Sequence, residues 1–189
     1  LLARALHRSS GRTGPFLAVN VAGLDEHTFS DSLFGHLRGA FTGAERTREG
    51  FIAQAAEGTL FLDEVGELLP QAQIRLLRVL QEREFYPLGS DRPRPLRARI
   101  LAATNRSVEE LRQSADFRRD FFFRLATHTV TLPPLHQRRE DIVLLFRHYL
   151  AQAASELGRP VPDLSPGLGE LLCAHDYPGN VRQVKALAY

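Results

Sequence analysis

Two adjacent carboxylates, Asp63 and Glu64, follow the apolar run Thr59-Leu60-Phe61-Leu62 without a break. An apolar strand that delivers Asp and then Glu suits magnesium-dependent nucleotide hydrolysis. Asp63 would hold the metal, usually through water, while Glu64 orients and polarises the attacking water. The other account is that the pair opens a helix, where acids favour the positive end of the dipole. Two more apolar runs also end in polar residues: Asn20 lies near the end of Phe16-Leu17-Ala18-Val19-Asn20-Val21, and Thr104-Asn105 close Ala98 to Thr104. In an open parallel sheet ligands bind at the carboxyl ends of the strands. Three polar strand ends in register favour chemistry over a helix start.

A second feature is Gly39-Ala40-Phe41-Thr42-Gly43-Ala44, too polar and glycine-rich for a core. Two glycines around a small, aromatic and hydroxyl-bearing centre describe a tight exposed loop tip, because Gly supplies backbone angles other residues resist. An exposed Phe41 needs a partner, or else folds back onto its own domain. Arg118 and Arg124 are six apart, so on one continuous helix they would point about 240° from one another. Both serve one site only if the helix ends between them, and spacing alone favours two surface arginines beside a Phe121-Phe122-Phe123 core anchor. Tyr177-Pro178-Gly179-Asn180-Val181-Arg182 is a turn opening a helix, with a cation where the dipole disfavours one, which hints at an anionic partner. The histidines show no metal-ligand spacing, and no Ser-His-Asp order can be picked out.

The elements that must position these groups alternate along the chain. Leu1 to His7 reads as the end of a helix and Phe16 to Val21 as a buried strand. Leu24 to Gly35 reads as a short amphipathic helix, after which Gly50 to Ala56 returns to the core. After the carboxylates comes a helix from Pro70 to Glu82 with Ile74, Leu76, Leu77 and Leu80 as its apolar stripe. Phe85 to Pro95 is an irregular loop, Ala98 to Thr104 a strand, Val108 to Gln113 and Phe117 to Arg124 helices, and Thr127 to Leu132 a last strand halted by Pro133-Pro134. Strands separated by helices imply an α/β domain, a parallel sheet with helices on both faces. Beyond the proline pair the pattern is helical over Glu140–Glu156, Pro166–His175 and Asn180–Tyr189, a small all-helical lobe. The domains are therefore expected at 1–135 and 136–189.

The 189 residues carry 43% apolar and 24% charged residues, ordinary for a soluble globular protein, and a net charge of +2, too small to argue for nucleic acid by itself. Arg92, Arg94, Arg97 and Arg99, interleaved with Pro93 and Pro95, read as a solvated basic loop. One cysteine, Cys173, excludes an internal disulfide and suits a reducing compartment, so a cytoplasmic location is expected. No apolar run approaches membrane length. The chain contains no Met and opens on a helix-like pattern without a capping residue, so a piece of a longer protein is expected.

Taken together, these motifs resemble the central ATPase domain of sigma-54-dependent transcriptional activators, the bacterial enhancer-binding proteins, which belong to the AAA+ group of P-loop NTPases. The resemblance runs from Leu33-Phe34-Gly35-His36 through the hexapeptide and Gly58 to Glu64, then Ala102 to Arg106, Leu132 to Leu135, Arg138 to Ile142 and Tyr177 to Arg182. It implies an ATP- and magnesium-dependent module with a helical lid. The loop from Gly39 to Ala44 would contact the sigma factor, with Phe41 and Thr42 at its tip. Asp63 and Glu64 would be the Walker B pair and Asn20 the asparagine that latches the catalytic glutamate. Thr104 and Asn105 would be sensor I, Arg118 and Arg124 the arginine fingers, and Arg182, beside Val181, the sensor II arginine of the lid. Phe85 to Pro95 would be the second pore-side loop. Implied partners are sigma-54, RNA polymerase, further copies in a ring (a hexamer by resemblance), and DNA through a separate domain.

The chain also departs from that pattern. The family's phosphate-binding loop would lie immediately before Leu1, and without its amides and lysine the chain alone is expected to hydrolyse ATP poorly or not at all. Tyr177 stands where Trp is usual, Ala53 where Glu is frequent, and Glu57 where Gly is frequent. Rival readings are a nucleotide-incompetent interaction fragment of the same family and a different AAA+ remodeller; the intact hexapeptide argues against the second.

Overall fold

The computed structural model describes residues 1–189, the side chain of Pro166 apart. The chain divides into two compact units, Leu1–Thr129 and Val130–Tyr189. In the first, α1 (Leu2–Arg8), β1 (Phe16–Asn20), α2 (Glu26–Phe34), the short strands β2 (Gly35–His36) and β3 (Arg48–Glu49), α3 (Phe51–Gln54) and β4 (Thr59–Asp63) follow in order. Then come a 3-10 turn at Val65–Glu67, α4 (Pro70–Glu82), β5 (Glu84–Phe85), β6 (Arg94–Pro95), β7 (Arg99–Ala102), α5 (Val108–Gln113) and α6 (Arg119–Leu125).

Three strands form a parallel sheet in the order β1-β4-β7. The middle strand reads as a continuous apolar run because it is paired on both sides. Leu60 and Leu62, alternate residues on one face, are fully buried and join Phe29 and Leu33 of α2 and Leu76 and Leu77 of α4 in one core. On the other face α1 lies over the start of the sheet, where His7 Nδ1 meets Thr59 Oγ1 at 2.9 Å and the Arg4 guanidinium sits 4.8 Å from the Phe16 ring centroid. Strand β1 was expected to be buried. Among the described residues it has a neighbouring strand on one side only, so Ala18 and Asn20 are exposed and Phe16, Leu17 and Val19 half-buried.

Side-chain caps open two of the helices, α2 and α5. Asp25 accepts the Thr28 amide at 2.9 Å ahead of α2. Ser107 and Glu110 form a reciprocal capping box on α5. Helix α4 spans its expected range, but its buried stripe is Ala72, Gln73, Leu76, Leu77, Val79 and Leu80, with Ile74 only half-buried.

The strand expected over Thr127–Leu132 is not formed. This segment pairs with no strand among the described residues, and Val130 and Leu132 are exposed. Its first hydroxyls turn back instead to the open carbonyls at the end of α6, Thr127 Oγ1 to Arg124 O at 3.2 Å and Thr129 Oγ1 to Ala126 O at 3.5 Å. The Phe triplet also splits. Phe121 and Phe122 are buried, and the next 100° step along the helix turns Phe123 outward to 66% exposure. The loop from Phe85 to Pro95 contains order as well: β5 and β6 pair antiparallel, and Phe85 is buried.

The second unit comprises a 3-10 turn at Leu135–Gln137 and helices α7 (Glu140–Glu156), α8 (Pro166–Ala174) and α9 (Asn180–Ala188). Its core is Leu135, Ile142, Phe146, Leu172, Tyr177, Val184 and Ala188, with Cys173 packed at the edge. Among the described residues, no helix is long and apolar enough to cross a membrane.

Glu57, just before β4, adopts a left-handed backbone with φ 59°. A side chain there costs about 1–2 kcal/mol, so the turn keeps a conformation that glycine would supply without strain. Replacing Glu57 with Gly removes that strain but loosens the unfolded chain, for a net gain of up to about 1 kcal/mol. The thermal midpoint of Glu57→Gly should rise by about 1–3 °C, with no rise in Glu57→Ala, as read by calorimetry.

Candidate functional site

The register of β1 on β4 sets Asn20 directly beside Asp63, so two of the three polar strand ends lie side by side. The third lies slightly further on: β7 pairs through Ala102 with Leu62, and Thr104-Asn105 extend beyond that pair. Asp63 Oδ1 accepts the Glu64 amide at 3.1 Å, and among the described residues the other carboxylate oxygen has no hydrogen-bond partner. The chain turns sharply at Glu64, with φ 60° and ψ 40°, and runs into the 3-10 turn. A non-glycine residue in this region is strained, and such strain collects at functional sites. Here it breaks the strand line at the second carboxylate, so both acids half-emerge at the sheet edge instead of alternating across it.

Two bonds hold this turn against the end of β7. The Val65 amide donates to Ala103 O at 2.9 Å, and Arg106 Nη1 donates to Gly66 O at 3.0 Å. Thr104 Oγ1 accepts the Arg106 amide at 3.1 Å, and Asn105 is exposed. Asn20 Oδ1 accepts the Ala22 amide at 2.8 Å, so it fastens the turn that leads into α2.

Helix α2 connects this edge to the hexapeptide. It starts a few residues after Asn20 and flows into β2, which pairs antiparallel with β3 across the base of the loop. From α4, Arg75 grips α2 by donating to Ser30 Oγ at 2.8 Å and to Glu26 at 3.3 Å.

The loop itself is closed by bonds from Gly39 N to Ala44 O at 2.8 Å and from Ala44 N to Phe41 O at 3.0 Å, with Gly39 and Gly43 at φ 83° and 97°. Ala44 is buried and Thr42 exposed. Phe41 is not an exposed tip. Its ring is half-buried, edge-on to His27 at 4.8 Å and His36 at 5.0 Å between centroids. His36 Nδ1 bonds to Asp31, whose second oxygen accepts Arg48 Nη1 at 2.7 Å. A chain of three charged or polar groups thus fixes one wall of the Phe41 seat.

Loop 85–95 covers the same place. Leu88 bonds to both Leu37 N and Gly35 O, and a Cβ on Gly89 would lie 2.8 Å from Ala40 Cβ, a distance only glycine permits. Arg94 reaches Glu49 of β3 at 3.7 Å.

The two arginines sit at opposite ends of α6. Arg118 is the capping residue, with extended backbone, so the helix starts after it rather than carrying both. Its guanidinium binds Asp120 through two bonds, 3.0 and 2.8 Å long. This pairing holds the Asp120 carboxyl below the usual carboxylate range and raises the guanidinium further. Arg124, in the last turn, donates twice to Leu80 O, at 3.1 and 2.6 Å. In the second unit, Arg182 is exposed and Val181 half-buried in the first turn of α9; Asn180 Oδ1 anchors that turn by accepting the Leu135 amide at 2.7 Å. Sequence reasoning missed the His27 and His36 seat, the Leu88-Gly89 cover and the buried Gln73. Only Gly89 left a visible sign, as a glycine in a polar turn.

A parallel sheet whose central strand ends on paired acids, followed in the chain by a helical unit, is an arrangement the AAA+ class shares, and the match of residues 136–189 to the AAA+ ATPase lid domain assigns the chain to that class. Within that class, residues 1–131 match the sigma-54 interaction domain and residues 136–189 the AAA+ ATPase lid domain, so the chain belongs to the sigma-54 activator family. Regulatory protein AtoC of Escherichia coli (strain K12) is 46% identical over 97% of this chain and 40% of its own length. DNA-binding transcriptional regulator NtrC of the same strain is 47% identical over 98% of this chain and 40% of its own length. The chain therefore spans about 40% of the length of these relatives. The crystal structure of NtrX from Brucella abortus in complex with ATP superimposes with a TM-score of 0.88 at 33% identity, over 100% of this chain and 41% of that one.

Each aromatic contact of Phe41 contributes about 0.5–1.5 kcal/mol. With His36→Ala, one is lost along with the link to Asp31. Chymotrypsin cleavage after Phe41 should then accelerate about two- to tenfold, with the global unfolding midpoint lowered by only about 1–4 °C.

Proposed function

We propose that this chain is the ATP-hydrolysing core of a transcriptional activator that remodels a sigma-54 RNA polymerase complex through the loop from Gly39 to Ala44. The observation that carries this reading is the Asp63-Glu64 pair, presented at the carboxyl end of the central parallel strand beside Asn20 and tied to the loop by α2. Asp63 fits magnesium: its one oxygen without an intramolecular partner is the hard, single-carboxylate donor that a phosphate-bound magnesium takes from protein. The metal, when bound, neutralises charge on the phosphates.

Glu64 would hold and polarise the attacking water, and Thr104 and Asn105 would contact the phosphate region. Asn20 would exchange its bond to the Ala22 amide for one to the Glu64 carboxylate, shifting the start of α2. Because α2 leads into β2, such a shift would reach the Phe41-Thr42 loop. Arg118 and Arg124, both at the surface ends of α6, would act in trans on the phosphate of a neighbouring copy in a ring, hexameric by resemblance. Asp120 would then yield Arg118 to the stronger anion. Val181 and Arg182 would meet nucleotide from the lid. We place the activity in the cytoplasm, with the DNA address carried by a separate domain.

The test is ATP turnover and sigma-54 engagement by the full-length protein. Glu64→Ala should lower kcat by about 10²–10⁴-fold, and unchanged hydrolysis would remove Glu64 from catalysis. Thr42→Ala should leave turnover within about twofold of the parent, since it lies outside the site that Glu64 occupies, yet abolish binding to sigma-54. Retained binding would detach the loop from that partner.

A further inference from the structure

Gln73 is a buried amide that no part of the mechanism above uses. It lies in the first turn of α4 at 0% exposure, among apolar neighbours. Its three bonds all go to backbone: Nε2 donates to Leu68 O at 2.7 Å and to Asp116 O at 2.8 Å, and Oε1 accepts the Arg118 amide at 2.8 Å. These partners come from two separate places. Leu68 closes the 3-10 turn that begins at Glu64. Asp116 and Arg118 flank Phe117, which is itself buried.

A buried polar side chain persists when its bonds specify an arrangement that apolar packing would leave free. Here the arrangement is the spacing between the end of the Glu64 turn and the residue that begins α6. Arg118 has extended backbone, and the backbone bonds of α6 begin with its carbonyl, which accepts the Phe122 amide. Its own amide is bound by Gln73. We infer that Gln73 is a positioning residue for Arg118, which locks the base of that arginine to the segment following the subunit's own carboxylate pair. A change at Glu64 then reaches the arginine through Leu68 and one side chain. The inference rests on the reading of Arg118 as a phosphate-facing group. The other end of α4 is built alike, with Leu80 O holding Arg124, so one helix carries both arginines.

The full-length protein decides it, with Gln73→Met removing all three bonds at near-constant volume. Amide exchange at Arg118 should accelerate by about tenfold or more as its acceptor is lost, while the Phe122 and Ala126 amides keep their rates. ATP turnover should fall by about tenfold to a hundredfold in kcat with little change in KM, the cost of a displaced catalytic group. In an Arg118→Ala background, adding Gln73→Met should change kcat by less than about twofold, because residues acting as one unit are not additive. A protected Arg118 amide in Gln73→Met, an unchanged kcat, or the same fold-loss in both backgrounds overturns the inference. If the Met variant does not fold, the parent protein decides: the Arg118 amide, bound by Gln73, should exchange at least about tenfold more slowly than the neighbouring Arg119 amide, and equal rates overturn the inference. An Arg118→Ala variant with unchanged turnover overturns the assignment of Arg118, not the hold of Gln73 on its amide, which the exchange rates decide alone.

Discussion

The pairing of β4 on both sides is the constraint on which the first unit depends. A central strand cannot slip by one residue without turning Leu60 and Leu62 from the core toward the face that α1 covers. With the register held, the end of the strand is held too. Asp63 must arrive beside Asn20, and the chain must then leave the sheet at Glu64. The left-handed turn there is tolerated because bonds from Val65 to Ala103 and from Arg106 to Gly66 fasten the segment on its far side. The acids are thus positioned by leucines that are themselves fully buried.

From this edge two helices diverge to different duties. Helix α2 carries the Asn20 end toward the loop, and α4 carries the Glu64 end toward the arginines. Arg75 joins the two helices midway. Each route uses a small number of specific polar bonds laid over continuous apolar packing. The packing sets stability, and the polar bonds set which displacements travel together.

Much of this was legible in the sequence where the determinants are local. Helices α4, α5 and α7 lie at their expected bounds, since the Pro70 that opens α4, the capping box of α5 and the apolar period are written in the segments themselves. Strand β4 and its carboxylates were legible because an unbroken apolar run admits few alternatives. What could not be read depends on distant partners. Phe41 is seated by His27 and His36, which are brought to it by the turn of α2 into β2. The alternation of Thr127 to Leu132 looks like a strand, but a strand exists only beside another, and the segment has no ladder to join. Gln73 is polar in an apolar stripe, and only the folded loop at Asp116 to Arg118 explains it.

The approach of Gly89 to Ala40 has a mechanical meaning. With no side chain on Gly89, its backbone bears directly on Ala40, and Leu88 is bonded to Gly35 and Leu37, on either side of His36. A push on the hexapeptide therefore meets the combined stiffness of two ribbons instead of the softness of a free loop. Force applied at Thr42 is shared with Phe85, which is sunk in the core, so the hexapeptide behaves as the tip of a braced lever.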